Sequence, residues 1–266
     1  MTNRRGHTVA IVQARTSSTR LPGKVLMHLE GQPMIVRQLE RVARASSLDA
    51  IVVATSEHSS DDDLVQILRN RGIDVQRGPL DDVLQRFVMT LDARSAEVVV
   101  RLTADCPLLD PTVIDQVVEA FHAGSSDYLS NTLDPTYPDG MDVEVVTAPV
   151  LRKVDELTQD PNEREHVTLG VYRRTDQFVV ANFLDPSGAD NSSLRWTVDN
   201  ADDFAFVETV YRELHSRNPE FDYADILSLV HANPDLRRSE TDNARNATLD
   251  GLNTGAMKHR GSVVEG

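Results

Sequence analysis

Apolar and polar positions along this chain switch between two periods. Short β-branched runs at 8–12 and 98–102 predict buried strands, and runs at 51–54 and 73–76 predict two further strands. Between them lie stretches with apolar residues three and four apart. One opens at Pro33, which suits a first helical turn, and sets Ile35, Leu39 and Val42 on one face. Residues 61–71 begin with acidic side chains and stop just before Gly72, the signature of a helix with a glycine past its end. Residues 80–93 carry Leu84, Phe87 and Leu91 at helical spacing, and 111–121 turn Ile114, Val117, Val118 and Phe121 inward. Strands alternating with helices predict an α/β fold with a doubly wound, mostly parallel sheet. Right-handed crossovers then align the loops after the strands along one edge, where ligands bind in such sheets.

The second half is less regular. Residues 128–138 are turn-rich, strands are predicted at 143–146, 178–183 and 194–198, and helices at 148–157, 163–173, 202–215 and 223–231. This half is expected to complete the same sheet and to add a small lid or dimerisation element, making 1–236 a single domain. Apolar periodicity stops after Pro234, and 237–266, rich in Arg, Asn, Thr and Gly, is expected to be a disordered tail.

Charge changes the picture more than composition does. A net charge of −15 over 266 residues argues against an electrostatic nucleic-acid binder. No apolar run approaches the ~18 residues of a membrane-spanning helix, and the polar stretch 1–7 lacks a signal-peptide core. Cys106, the lone cysteine, excludes an internal disulfide and a cysteine zinc cluster, so a cytoplasmic location is expected.

Against that acidic background, Val9-Ala-Ile-Val-Gln-Ala-Arg-Thr-Ser-Ser-Thr-Arg-Leu-Pro-Gly-Lys24 is an exception. A strand opens into a loop holding Arg15, Arg20 and Lys24 among the hydroxyls of Thr16, Ser17 and Ser18. Backbone N–H groups and hydroxyls donate to phosphate oxygens while Arg and Lys offset their charge, so the loop suits a polyphosphate. It has neither the Walker spacing nor a dinucleotide fingerprint. A solvated basic loop is the alternative reading. Asp105, in Thr103-Ala-Asp-Cys-Pro107, closes a predicted strand, and Asp110 is better placed to cap the next helix. Asp199 follows the 194–198 strand and would otherwise fill a turn. With a triphosphate on the loop, these two carboxylates suit magnesium, which takes one or two protein carboxylates plus phosphates and waters.

A base would sit deeper, against the main chain of Ala14 and near Thr55, Ser56 and Arg77, with Arg101 on the crevice rim. Asp82 and Arg86, one helical turn apart, either pair with each other or border the ribose, and the pair is the expectation for Arg86. An acceptor would meet the second half. Asp139, Asp142 and Glu144 form an acidic group, the last two sharing a strand face, and Arg164, Glu165 and His166 form another candidate group. An exposed acidic face and a core histidine are the alternatives. No His-x-His or His-Glu-x-x-His spacing suggests zinc.

The loop resembles the signature of nucleotide-sugar cytidylyltransferases, the superfamily of CMP-sialate and CMP-3-deoxy-manno-octulosonate synthetases. Its Gln-Ala-Arg-x-Ser-Ser-x-Arg-Leu-Pro-x-Lys form resembles most the branch called spore coat polysaccharide biosynthesis protein F. The similarity continues in Val100-Arg-Leu-Thr-Ala-Asp-Cys-Pro-Leu108, Asp139-Gly-Met-Asp-Val-Glu144, Arg164-Glu-His-Val-Thr168 and Arg195-Trp-Thr-Val-Asp199. The resemblance implies a Rossmann-like nucleotidyltransferase that moves CMP from CTP to a hydroxylated or phosphorylated acceptor, with Mg2+ on Asp105 and Asp199 and with Arg15 and Lys24 on the phosphates. It also implies a homodimer, a nucleotide-binding half at 8–130 and an acceptor and dimerisation half at 131–236. The sialate and octulosonate synthetases carry asparagine after the loop lysine, where this chain has Val25. That departure argues against a 2-keto-3-deoxy acid and leaves a phosphonate, a polyol phosphate or an unusual sugar as the acceptor. A glycosyltransferase would show Asp-x-Asp here, and Ala104-Asp-Cys-Pro107 has one carboxylate. A non-catalytic nucleotide-binding protein would not need Arg15, Lys24, Asp105 and Asp199 together.

Overall fold

A computed structural model describes residues 6–238 and 263–264. Strand β1 (Thr8–Gln13) leads through a 3-10 turn (Lys24–Leu26) and a small hairpin, β2 (His28–Leu29) and β3 (Gln32–Pro33), into helix α1 (Met34–Val42). Then β4 (Ala50–Ser56), α2 (Asp62–Arg69), β5 (Asp74–Gly78), α3 (Val83–Arg94), β6 (Val98–Thr103) and α4 (Pro111–Ala123) alternate as the apolar periods predict. The second half adds β7 (Tyr128–Ser130), β8 (Glu144–Thr147), α5 (Ala148–Leu157), α6 (Pro161–Glu165), α7 (Leu169–Tyr172), β9 (Val180–Phe183), α8 (Ala201–Leu214), α9 (Tyr223–Ala232) and β10 (Val263–Val264).

One sheet runs through both halves in the order β5-β4-β1-β6-β8-β7-β9-β10. Only β8 runs against its neighbours; every other pairing is parallel. Strand β1 is buried on both faces, which explains its uninterrupted apolar run. Ala10 and Val12 face the core beneath α1, α2, α4, α8 and α9, while Val9 and Ile11 face the core beneath α3 and α5. The chain winds outward from β1 to β5 and then returns to the other side of β1 as β6. The carboxyl ends of β1 and β6 therefore flank a topological switch point, the crevice where ligands bind in sheets of this kind.

The structure departs from the expected elements in the second half. Tyr128–Ser130, read as part of a turn-rich stretch, is a sheet strand too short to show a period. The helix expected at 163–173 is two short helices, broken where Val167 adopts φ 44°. Residues 194–198 form no strand; Arg195 bridges to Asp139 in isolation. Of the tail, Val263–Val264 pair with Asn182–Phe183 rather than lacking structure, and 239–262 and 265–266 lie outside the described residues. Among the described residues, no helix is long and apolar enough to cross a membrane.

Candidate active site

The loop after β1 is built on a carboxylate that the sequence did not single out. Asp61 is fully buried, and its Oδ1 accepts from the Thr16 N–H and hydroxyl, both at 2.8 Å. Its Oδ2 accepts from the Thr55 hydroxyl at 3.0 Å and from the Ser56 N–H and hydroxyl at 3.2 and 2.5 Å. Burial pushes this carboxyl up, but the bonds from Ser56, Thr16 and Thr55 override it and hold Asp61 below the ordinary carboxylate value. Thr55 and Ser56, expected beside a base, are thus enclosed, and their hydroxyls anchor the loop instead. Arg77, expected there too, clasps the loop after β4. Its Nε donates to Ser56 O at 2.8 Å, Nη2 donates to His58 O at 3.0 Å, and Nη1 pairs with Asp62.

The loop closes when Gly23, at φ 72°, donates its N–H to Thr16 O. Ser17 stays exposed, and the Ser18 hydroxyl turns back toward the Leu21 N–H. Lys24 then enters the protein. Its ammonium donates to Val198 O at 2.6 Å, to Asp199 Oδ1 at 3.3 Å and to Asp105 Oδ2 at 3.4 Å. Val25 packs into the core and does not face the loop's ligand side. The Val198 N–H donates to Asp105 O, which fastens the 194–198 segment beside the end of β6. One cation thus touches two carboxylates that stand far apart in sequence.

Asp199 is held from the other side by Arg20 at 2.8 Å and Arg195 at 2.6 Å. Arg195 is itself buried and pairs with Asp139 at 2.7 Å, so Asp139 buttresses this cluster rather than meeting an acceptor. Gly140, at φ 107°, allows the close approach: a Cβ there would lie 2.7 Å from the Thr197 nitrogen. Asp203 accepts from the Asp199 and Asn200 N–H groups and pairs with Arg238, closing the cage. Asp105 is less enclosed. Its Oδ1 lies 3.5 Å from the Cys106 thiol. Burial pushes Asp105 up, and Lys24 with the Thr103 and Cys106 bonds brings it below the ordinary carboxylate value. Burial and Asp105 raise the Cys106 thiol well above its usual value, so it is no nucleophile.

Across β1 lies a small cleft lined by Gln13, Ala14, Arg15, Val83, Arg86 and Glu165. Arg15 stands 3.5 Å from Glu165. Arg86 does not pair with Asp82 as the spacing suggested; its Nη1 donates to the carbonyls of Pro79 and Leu80. Asp82 caps α3 and binds Arg164 at 2.6 Å.

The other expected acceptor residues divide. Arg164 has its donors on Asp82, Asp155 and Thr158 O, tying α6 to α3 and α5, and so is not open to an acceptor anion. Glu144 is buried and lies opposite Arg101 in the β6–β8 register. It accepts from Arg101, from the Tyr128 hydroxyl and from the Thr168 hydroxyl, while Arg101 also donates to Gln13. Both of these former candidates, Glu144 and Arg101, are therefore parts of the scaffold. Asp142, Glu165 and His166 remain at least partly accessible. Burial, with Arg101 nearby, lowers the His166 pKa and favours the neutral ring. Val167, which follows it, is a β-branched residue in the left-handed region, a strain of the kind that accumulates at functional sites. Among the described residues, no group of three or more His, Cys, Asp or Glu side chains is placed to hold a metal.

Residues 9–215 match the sequence profile of a family described as cytidylyltransferase. The chain belongs to the cytidylyltransferase family. It is accordingly a CTP-dependent nucleotidyltransferase. It is 32% identical to the spore coat polysaccharide biosynthesis protein SpsF of Bacillus subtilis over 85% of this chain and 94% of that protein. A 3-deoxy-manno-octulosonate cytidylyltransferase of Anaeromyxobacter dehalogenans is 35% identical over 45% of this chain and 49% of its own. The structure of a cytidylyltransferase from Leptospira borgpetersenii superposes with a TM-score of 0.82 at 30% identity, covering 87% of this chain and 96% of that one. The family thus extends over both strand ends and the Lys24 cluster.

Proposed function

We propose that this cytidylyltransferase moves CMP from CTP to a sugar-like, polyol-phosphate or phosphonate acceptor and releases pyrophosphate, with Mg2+ as cofactor. The observation that carries this reading is the convergence of Lys24, Asp105 and Asp199 at the end of a cationic loop. The two carboxylates fit magnesium: a single ammonium already lies within 3.4 Å of both, and substrate phosphates and waters would complete a hard, oxygen-donor shell. Asp105 and Asp199 would hold the ion, which when bound neutralises phosphate charge and aligns the reacting oxygens. The chain's own part is positioning and charge. Arg15, the Thr16–Ser18 stretch and Lys24 line the triphosphate, with Arg20 at its outer rim on Asp199 and Ala14 beneath the nucleoside. An acceptor oxygen forms a bond to the α-phosphorus, the α–β bridge breaks, and the departing pyrophosphate gathers charge near Lys24. Asp142, Glu165 and His166 border the acceptor, and neutral His166 is able to take the hydroxyl proton.

This reading divides the domain into a nucleotide half at 8–130 and an acceptor half at 131–236 that carries the lid and homodimer contacts. It places the enzyme in the cytoplasm, with no nucleic acid or membrane as partner. The names of the Bacillus and Anaeromyxobacter relatives, one of polysaccharide biosynthesis and one of an octulosonate, support a sugar-like acceptor. The test is pyrophosphate release from CTP, ATP, GTP and UTP with magnesium against a panel of such acceptors. Release specific to CTP and dependent on one acceptor is expected. ATP bound as well as CTP by calorimetry would defeat the reading.

A further inference from the structure

Arg86 is 2% exposed, yet no carboxylate pairs with it among the described residues. Its Nη1 is fixed on the carbonyls of Pro79 and Leu80, while its Nε is buried without a partner and no hydrogen bond engages Nη2 among the described residues. A buried guanidinium left this way is costly unless something else supplies acceptors. The fold has made room for it. Gly78 ends β5 where a Cβ would stand 2.8 Å from Arg86 Cγ, so the glycine lets the arginine stem lie across the strand end. Helical spacing from Val83 and Thr90, both buried, puts Arg86 on an enclosed face of α3, and it lines the cleft with Ala14, Val83, Arg15 and Glu165.

The loop 14–23 begins at this cleft and ends at Lys24, on the opposite face of β1. A nucleotide laid along it with its phosphates at Lys24 brings its base to the cleft. Two walls there, Ala14 and Val83, are apolar and suit a flat ring. Glu165 in the same cleft disfavours a second phosphate. The unpartnered Nε–H and Nη2–H project from one edge of the guanidinium as parallel donors, a match for two adjacent acceptors on a base.

We infer that Arg86 is the specificity-determining residue for the base, donating from its Nε–Nη2 edge to the O2 and N3 acceptors of cytosine. Uracil carries a hydrogen on N3 and would set donor against donor. The inference rests on the CMP-transfer reading and goes beyond it by naming what selects cytosine.

The test measures calorimetric affinities, with magnesium, for CTP, UTP, ATP and tripolyphosphate in the wild-type protein and in Arg86→Lys and Arg86→Gln. Wild type should prefer CTP to UTP by about 10-fold or more, the scale of one mismatched hydrogen bond. Both variants should lose most of that preference, with tripolyphosphate affinity held within about twofold. A ligand-side arm needs no variant: 3-deazacytidine triphosphate, which lacks the N3 acceptor, should bind wild type about 10-fold more weakly than CTP. That arm decides the matter if both variants unfold. Variants that keep the CTP preference, variants that lose tripolyphosphate in step with CTP, or 3-deaza-CTP bound as well as CTP would each overturn the role of Arg86 alone. A wild type that binds CTP and ATP equally would overturn the CMP-transfer reading, and this inference with it.

Discussion

Two charge clusters lie on the same sheet and are finished to different degrees. Around Glu144 every acceptor is taken: one oxygen by Arg101, the other by Tyr128 and Thr168, with side-chain exposures of 12% for Arg101 and 10% for Glu144. Around Lys24 the matching is incomplete. Asp105 keeps 30% of its side chain exposed, its contact to the ammonium is a long 3.4 Å, and its second oxygen lies 3.5 Å from a thiol. A buried charge cluster saturated by its own protein is costly to break and has nothing left to offer a ligand. A cluster with spare acceptors beside a cationic loop has capacity reserved for a ligand. Both patterns come from acidic residues that spacing alone made candidates for function, Glu144 for the acceptor and Asp105 for the metal.

The comparison breaks most directly at its two ends. Asp105→Asn keeps the side chain's volume and removes its charge. Turnover of CTP should fall by at least ~100-fold, the scale of losing a preorganised electrostatic contact, with the unfolding midpoint little changed. Glu144→Gln should do the reverse. It leaves Arg101 buried without a full charge partner, so stability should drop by about 2–3 kcal/mol in urea titration while CTP affinity holds. If Glu144→Gln impairs acceptor use in fully folded protein and Asp105→Asn does not lower turnover, the two clusters have been assigned the wrong way round.

Lys24 comes next. Lys24→Ala removes the charge that joins Asp105 to Asp199, and CTP affinity and turnover should each fall by about 10-fold or more. Lys24→Arg should recover little. The ammonium sits 2.6 Å from Val198 O with only 10% of the side chain exposed, and a planar fork has no room to replace it. Full rescue by arginine, measured as restored kcat/KM, would show that the lysine acts only through long-range charge.

Asp61 tests the scaffold under the loop. Its folded pKa lies below the ordinary value, so its stabilising effect is present above the unfolded pKa of about 3.9 and is lost as pH falls through the folded value. Asp61→Asn should therefore be destabilised by about 1.5–3 kcal/mol at neutral pH, and the gap to wild type should narrow on acidification. A gap in urea midpoints that is constant from neutral to strongly acid pH would mean that the Asp61 charge is not what holds Thr16, Thr55 and Ser56.

Much of this architecture was legible in the chain. Residues of β1 and β6 carry runs whose length and β-branching announce buried strands, β4 and β5 read as strands as well, and Asp110 caps α4 as its place before Pro111 implies. Asp105, Asp199 and Lys24 came from strand ends and a loop, features that motif spacing reports well. Partners distant in sequence were illegible. Asp61 meets Thr16 across 45 positions, and Arg164 meets Asp82 across 82. No local period encodes such a pairing. Arg86 left no such trace: it lies off the Leu84, Phe87 and Leu91 stripe, and a charged pair with Asp82 one turn away was the better reading of it. Elements under four residues, such as β7, and the break at Val167 left none, because tertiary packing sets them against local propensity.

The smallest expected effect concerns Arg20, which sits at the outer rim of the incomplete cluster. Its guanidinium lies 2.8 Å from Asp199 Oδ1, but 57% of the side chain is exposed, and exposed ion pairs contribute about 0–1 kcal/mol. Asp199 is also held by Lys24 and Arg195, so removing Arg20 leaves the carboxylate in place. Arg20→Ala should shift the urea midpoint by no more than the equivalent of about 0.5 kcal/mol. What it does to nucleotide binding locates the edge of the site. If Arg20 only screens Asp199, calorimetric CTP affinity in Arg20→Ala should change by less than about threefold and its salt dependence should stay that of wild type. A loss approaching that of Lys24→Ala, with a weaker salt dependence, would move Arg20 from the rim onto the triphosphate and extend the ligand-ready region along the whole loop.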